Sequence, residues 1–222
     1  MSAIIPRPGA LLASQLDYIL VDGSGSMQPK WWEFMATLDN FMNTLRAMNV
    51  NSHGIVNVFD HNSLEMIQRN SLISEWKTFS EDPLGSNFGG TPLYDAINLM
   101  GRTLRDLDPD RCSIVIVTDG QESDSTHTTV DQARAILDWC RAKGWQVTFL
   151  GCDFDNTTQA KLLGATEHNA LGVRKELLAE SGRLLADKRI RYGASGDDID
   201  FTDDERTKFG GYLSGPSNDS GA

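Results

Sequence analysis

The apolar residues of this chain fall into short continuous runs that alternate with longer segments of helical periodicity. Runs rich in valine, isoleucine and aromatic residues predict strands at 18–21, 55–59, 114–117 and 147–150. The last two runs are continuously apolar, as in strands that are covered on both faces. A further strand is predicted at 64–69, paired back on the strand before it. Apolar positions that recur every three or four residues predict helices at 31–48, 93–107, 130–143 and 173–191.

This alternation of strands and helices is typical of an α/β fold with a doubly wound, mostly parallel central sheet and helices on both faces. The run at 64–69 would be its antiparallel edge strand. The 222 residues suffice for one such domain, which we place at 15–191, after an N-terminal extension at 1–14. Residues 192–222 are rich in Gly, Ser and Asp and contain few apolar residues, so the sequence predicts a flexible acidic tail.

Charge and cysteine content narrow the classes of partner and compartment. The formal net charge is −11 and no cluster of Lys and Arg interrupts it, which argues against nucleic acid as a partner. Cys112, Cys140 and Cys152 lack metal-ligand spacing and lie in apolar surroundings, so free thiols in a reducing compartment are expected. The first residues resemble neither a signal peptide nor a membrane span, so we expect a cytoplasmic protein without a membrane partner.

The most informative stretch runs from Asp22 to Ser26, between the first predicted strand and the first helix. It presents one carboxylate and two hydroxyls, from Asp22, Ser24 and Ser26, at alternate positions of a glycine-containing loop. Open parallel sheets place their ligands at such strand-to-helix junctions. Hard oxygen donors suit a small hard cation, so the sequence predicts a Mg²⁺ site; Mn²⁺ and Ca²⁺ are alternatives because they also take oxygen ligands.

Two later loops bring more oxygen donors to the same edge of the predicted sheet. Thr91 precedes the second helix, and Asp119 follows the central apolar strand. In a doubly wound sheet these loops can lie beside the first one, so that five oxygen-bearing side chains converge. Plainer explanations exist for each stretch: a flexible turn at the first, a helix cap at Thr91, and an ordinary turn at Asp119.

In this order, the residues resemble the metal-ion-dependent adhesion site (MIDAS) of von Willebrand factor A (VWA) domains, which reads Asp-x-Ser-x-Ser, then Thr, then Asp. Here the pattern is Asp22, Ser24, Ser26, Thr91 and Asp119. The resemblance extends over roughly residues 15–190 in the order and spacing of elements. The short loops are similar to those of the compact intracellular members of the family.

The resemblance implies a Rossmann-like sheet with a single divalent ion at its upper edge. Ser24 and Ser26 would bind the ion directly, whereas Asp22 and Asp119 would act largely through water. Thr91 would bind directly or through water, depending on the conformational state. One coordination position would stay open for an acidic residue of a protein partner.

Two classes of function are considered. The favoured one is a noncatalytic module that binds an Asp or Glu of a protein partner through the metal; intracellular relatives often work beside AAA+ ATPases as adaptors, so such an ATPase is one candidate. The chain's own acidic residues 197–205 are a weaker candidate ligand. The alternative is a Mg²⁺-dependent phosphoryl-transfer or hydrolytic enzyme with Asp22 as nucleophile. Its Asp-x-Asp pair, P-loop lysine and neighbouring basic residue are missing from the sequence motifs, so no catalytic residue is assigned.

Several residues near the motifs receive supporting roles. At least one of Trp31 and Trp32 is expected in the helix core. Asp60 and Asp95 are expected to be solvated or to support the ligands from behind. The four histidines fall in separate loops or strand ends, which argues against a zinc site.

Overall fold

In the computed structural model, which describes residues 15–61, 67–119, 121–152 and 156–210, six strands form one sheet. In chain order the strands are β1 (Gln15–Asp22), β2 (His53–Phe59), β3 (Ile67–Leu72), β4 (Arg111–Val117), β5 (Gln146–Cys152) and β6 (Ala170–Val173). Their order across the sheet is β3-β2-β1-β4-β5-β6, with β3 antiparallel to β2 and the other pairs parallel. The predicted fold class is confirmed, including the antiparallel edge strand.

Helices cover both faces of this sheet. The described part of the chain forms α1 (Trp31–Ala47), α2 (Leu93–Leu107), α3 (Val130–Ala142), α4 (Asn156–Leu162), α5 (Leu178–Ser195) and α6 (Asp203–Gly210). Side chains of β1 alternate between the two cores, as strands covered on both faces require. Ile19 and Val21 pack in the core with α1 and α5, whereas Tyr18 and Leu20 pack in the core with α2 and α3. None of these helices is long and apolar enough to cross a membrane.

The contact between α1 and α5 is unusually close at one glycine. A Cβ atom on Gly182 would lie 2.1 Å from the carbonyl oxygen of Thr37, so only glycine allows the two helices this approach. Farther along α5, the buried guanidinium of Arg189 pairs with Asp17 of β1, with 2.5 Å between Nε and Oδ1. The hydroxyl of Ser52 donates a second hydrogen bond to Asp17 Oδ2 at 2.7 Å. Thus α5 is anchored both to α1 and to the central strand.

The predicted helix at 173–191 is wrong at its N-terminal end. Val173 is the last residue of β6, and α5 begins only at Leu178, after a short 3-10 turn at Lys175–Leu177. The strand was missed because its sequence, Ala-Leu-Gly-Val, has only four residues and includes a glycine. The strand is stabilised by its pairing with β5, in which Leu171 lies opposite Leu150, rather than by a local sequence preference.

The flexible tail predicted from residue 192 differs from the structure up to residue 210. Ile199, Phe201 and Phe209 are almost fully buried in the core shared with α1 and α5. Reciprocal hydrogen bonds between Thr202 and Glu205 form a capping box at the start of α6. These three apolar residues are few, and they pack in the core that α1 and α5 form rather than making a core of their own. Residues 1–14 and 211–222 lie outside the described part of the chain.

We expect Phe201→Ala to destabilise the domain by about 3–5 kcal/mol, because truncating a buried aromatic residue loses its transfer free energy and leaves a cavity. Urea denaturation of the full chain measures this loss. Met48→Ala, at an apolar side chain that is 62% exposed, is the control and should change the free energy of unfolding by about 0.5 kcal/mol or less. A loss below about 1 kcal/mol for Phe201→Ala would contradict a packed C-terminal segment.

Candidate metal centre

Parallel pairing places the candidate site where β1 and β4 end side by side. Val21 pairs with Val117 across the two strands, so Asp22 is the last residue of β1 and Asp119 lies two residues beyond the end of β4. Both carboxylates are buried at this C-terminal edge of the sheet. Such an edge collects loops from neighbouring strands, and here it collects two negative charges.

Four of the five predicted ligands are connected directly by hydrogen bonds. The Oγ atoms of Ser24 and Ser26 are 3.0 Å apart, and the Ser26 hydroxyl donates to Asp119 Oδ1 at 2.6 Å. The main-chain N–H of Ser24 donates to Asp22 Oδ1 at 2.8 Å. The hydroxyl of Thr118 donates to the other oxygen of Asp22 at 2.7 Å, so this carboxylate is held from two sides.

Thr91, the fifth predicted ligand, is held beside the others through its main chain. A parallel bridge joins Ser24 to Gly89, with the N–H of Gly25 donating to the Gly89 carbonyl at 2.8 Å. On the other side, Ser123 accepts from the N–H of Thr91 at 3.2 Å and donates its own N–H to the Thr91 carbonyl at 3.1 Å. The three loops are therefore tied to one another. Thr91 is not the cap of α2, because the N-cap residue is Pro92.

Two further contacts hold the Thr91 loop in place, one to the residue after β2 and one to the start of α1. The buried carboxylate of Asp60 accepts from the N–H of Asn87 at 2.9 Å. The ring of Phe88 packs edge-on against Trp31, with 5.4 Å between the ring centroids. Trp31 thus has the core role expected for one of the two tryptophans, and Trp32 is 65% exposed.

The donor set fits a small hard cation. Because Ser26 donates its hydrogen to Asp119, the Ser24 hydroxyl is the donor to Ser26, and each of the two oxygens keeps a lone pair for an ion. Adjacent ligands of an octahedral Mg²⁺ ion, at about 2.1 Å from the metal, lie about 3.0 Å apart, which is the Ser24 to Ser26 separation. Among the described residues, no three His, Cys, Asp or Glu side chains form a ligand cluster.

A residue that the sequence analysis did not assign also lies in this site. The ammonium group of Lys30 is 2.8 Å from Asp119 Oδ2. The prediction that no basic residue lies beside the motifs is therefore wrong. Lys30 ends a 3-10 helix, Gly25–Lys30, that begins inside the serine motif, and this helix carries Lys30 back over the site. No local pattern marked Lys30, because the contact joins residues 89 positions apart.

Several solved structures share this fold at low sequence identity. The vWF domain of the type V pili tip protein Mfa5 from Porphyromonas gingivalis matches with a TM-score of 0.63 and 10% identity, over 86% of this chain and 97% of that one. The SpRpn10 VWA domain matches at 0.57 and 12%, over 75% and 92%. This chain has the von Willebrand factor A fold.

Two further structural matches show how far the similarity extends. The manganese-loaded TRAP protein of Plasmodium vivax has a TM-score of 0.52 and 16% identity, over 78% of this chain and 75% of that one. Proximal thread matrix protein 1 from the mussel byssus has 0.58 and 16%, and this chain, covered to 79%, spans about half of it, 48%. No protein-family model and no curated protein sequence matches significantly. Identities this low show the VWA fold alone.

Residues around the VWA motif that were given lesser roles, or none, prove to be structural supports. Thr118 orients Asp22, and Ser123 brackets Thr91. Asp95 is buried, and its Oδ2 accepts from the N–H of Thr126 at 2.9 Å. Asp60 and Asp95 therefore support loops from behind rather than being solvated. Short polar residues in loops gave no local pattern that distinguishes such a role.

The acidic segment that was a candidate internal ligand lies elsewhere on the VWA fold. Asp198 accepts from the side chain of Gln146, the first residue of β5, at the opposite edge of the sheet from the metal centre. Glu205 pairs with Lys188 of α5 at 2.9 Å. Because Asp198 and Glu205 are engaged there, we do not propose this segment as a ligand.

Without a metal ion, burial raises the pKa of Asp22 to about 6, and the nearby Asp119 adds to the rise while hydrogen bonds from Thr118 and Ser24 oppose it. The folded state then keeps a proton that the unfolded state has released between about pH 4 and pH 6. The free energy of unfolding therefore decreases as pH rises through this window. The difference between the two pKa values corresponds to about 3 kcal/mol.

We expect Asp22→Asn to lose this pH dependence. In the presence of chelator, the stability of the variant relative to the wild type should increase by up to about 3 kcal/mol between pH 4 and pH 7, measured by urea denaturation. Repeating the series at saturating Mg²⁺ is the control, because a bound cation favours the charged carboxylate and should shrink the difference. Parallel stability profiles in chelator would mean that Asp22 titrates alike in the folded and unfolded states.

Proposed function

We propose that this chain is a noncatalytic protein-binding module that engages an Asp or Glu of a protein partner through a divalent ion at the VWA site. The observation that carries this proposal is the hydrogen-bonded chain of Ser24, Ser26 and Asp119, in which Ser26 donates to Asp119 and each serine oxygen keeps a lone pair for an ion. Neutral hydroxyl ligands leave an ion electrophilic, so it can still bind an anion from outside.

Each of the five motif residues has a role in this proposal. Ser24 and Ser26 hold the ion directly, Asp22 and Asp119 act largely through water, and Thr91 binds directly or through water. When bound, the ion supplies a Lewis-acidic site for a carboxylate oxygen. Ser26 is exposed, which leaves that side of the site accessible. Mg²⁺ is the proposed ion, with Mn²⁺ and Ca²⁺ as alternatives, and the manganese-loaded TRAP neighbour is consistent with a divalent ion.

We propose a class of protein partner rather than an individual protein. The structural neighbours include a pilus tip protein and the SpRpn10 VWA domain, so the VWA fold occurs in more than one kind of protein. An AAA+ ATPase that presents an acidic residue is one candidate partner.

We propose a cytoplasmic location because the buried, free thiols of Cys112 and Cys140 suit a reducing compartment. The side chain of Cys152 lies outside the described residues.

The alternative is an enzyme that uses Asp22 as a nucleophile, and the position of Lys30 removes one argument against it. However, the Asp22 side chain is fully buried, and both of its oxygens already accept hydrogen bonds. A nucleophile needs an approach path for its substrate, which this carboxylate lacks. A phosphatase assay with Mg²⁺ and an aryl phosphate distinguishes the two functions, since turnover lost in Asp22→Asn would favour the enzyme.

Divalent metal should raise the melting temperature of the protein through this site. Binding to the folded state alone adds about 1–3 kcal/mol at ligand concentrations of tens to hundreds of times Kd. Differential scanning fluorimetry with Mg²⁺ or Mn²⁺ should show the rise in the wild type and not in Asp22→Ala or Ser24→Ala. Asp95→Asn is the control, because Asp95 is a buried carboxylate outside the motif, and it should keep the response. Equal responses in all variants would place the metal elsewhere.

Partner binding should require both the metal and an acidic side chain of the partner. We expect the immobilised chain to retain a partner from a native lysate in Mg²⁺ and to release it into chelator, with identification by mass spectrometry. Ser24→Ala is the matched bait and should retain nothing that chelator releases. In the purified pair, replacing one Asp or Glu of the partner by its amide should abolish binding. A partner that stays bound in chelator and to Ser24→Ala would contradict the proposal.

A further inference from the structure

A positive charge that belongs to the chain already lies at the metal centre. The Nζ atom of Lys30 is 2.8 Å from Asp119 Oδ2, while Ser26 donates to the other oxygen of the same carboxylate at 2.6 Å. The Asp119 side chain is only 1% exposed and that of Lys30 is 20% exposed. The ammonium group therefore neutralises a buried charge, unlike the lysines that form exposed pairs elsewhere in the described structure.

We propose that Lys30 is a tethered counter-ion of the metal centre, which pairs with Asp119 while the site is free of metal and is displaced when a divalent ion binds. This inference rests on the proposed function and assigns a regulation to the same site. Lys30 sets the metal concentration at which the module becomes able to bind its partner.

Charge balance gives the reason for the pairing without metal. Asp22 and Asp119 end neighbouring strands, and their negative charges raise each other's cost of burial. Serine and threonine hydroxyls around them contribute partial charges only. Lys30 adds one full positive charge and leaves the metal-free site with a net charge of about −1 when both carboxylates are ionised. The fold can therefore form before any metal arrives.

The same geometry gives the reason for displacement. An ion held by the Ser26 oxygen lies within a few ångströms of Asp119, because Ser26 and Asp119 are already hydrogen-bonded. The ammonium group on the same carboxylate would then face a divalent cation at short range in a partly buried site, where like charges repel strongly. Metal binding has to remove Lys30 from this position or bear that repulsion.

Lys30 has a route out of the site. It is the last residue of the Gly25–Lys30 turn, and the two residues before it, Gln28 and Pro29, are exposed. A lysine side chain has a flexible four-carbon stem and a strongly hydrated head group, so the ammonium can move into water without a change in the main chain. The switch needs no movement of a strand or helix.

The test is a titration of the full-length chain with Mn²⁺, in which electron paramagnetic resonance measures the free ion. We expect Lys30→Met to bind Mn²⁺ about tenfold more tightly than the wild type, or better, because the competing charge is gone. Lys30→Arg keeps a charge and should stay near the wild type. Lys175→Met is the matched control: its ammonium bonds to the carbonyl of Pro29 and to Glu33, so it reports the general effect of removing a nearby positive charge.

Thermal stability separates competition from a merely structural role. Lys30→Met should melt below the wild type in chelator, where Asp119 loses its counter-ion, and at or above the wild type in saturating Mn²⁺. A variant that melts lower by the same amount in both conditions would overturn the inference. Lys30→Gln is the second variant if the methionine does not fold in chelator.

The outcomes distinguish this inference from the proposed function. Tighter Mn²⁺ binding in Lys30→Met alone supports it. Equal or weaker binding in Lys30→Met, with binding still lost in Ser24→Ala, overturns the role of Lys30 and leaves the metal site in place. If neither the wild type nor Lys30→Met binds Mn²⁺, or if Ser24→Ala leaves their binding unchanged, the metal site itself is overturned together with the inference.

Discussion

Two buried carboxylates at the ends of adjacent parallel strands are the constraint on which this structure depends. Asp22 and Asp119 cannot both be charged there without compensation, since burial penalises each charge and proximity adds to the penalty. Hydrogen bonds from Thr118, Ser24 and Ser26 offset part of the cost, and Lys30 offsets more. This edge of the sheet therefore favours a positive charge, which either Lys30 or a bound cation can supply.

Much of the scaffold could be predicted, because its signals are local. The period of apolar residues in α2 gave both ends of the helix, Leu93 and Leu107, and the continuous runs in β4 and β5 identified strands covered on both faces. The order of the three loops followed from the alternation of strands and helices. Convergence of Asp22, Ser24, Ser26 and Asp119 then followed from the parallel sheet, since the carboxyl ends of its strands share one edge.

What could not be predicted depends on contacts between distant residues. Lys30 and Asp119 are 89 positions apart, and no local pattern marks a lysine that turns back over a loop. The strand β6 is too short to show a repeating pattern of apolar residues. It forms because it pairs with β5. Ile199 and Phe201 looked too sparse to order a segment. Their burial comes from a surface that α1 and α5 had already formed.

The packing of the C-terminal segment has a consequence for the open edge of the sheet. An edge strand with unpaired main-chain groups is a template for association with another chain. Here the N–H of Phe201 donates to the carbonyl of His168 just before β6, and the N–H of Arg174 donates to the carbonyl of Phe209 just after it. The C-terminal segment thus forms hydrogen bonds next to both ends of the four-residue strand β6. A second copy of the chain therefore meets fewer unpaired main-chain groups at this edge than a bare edge strand would offer.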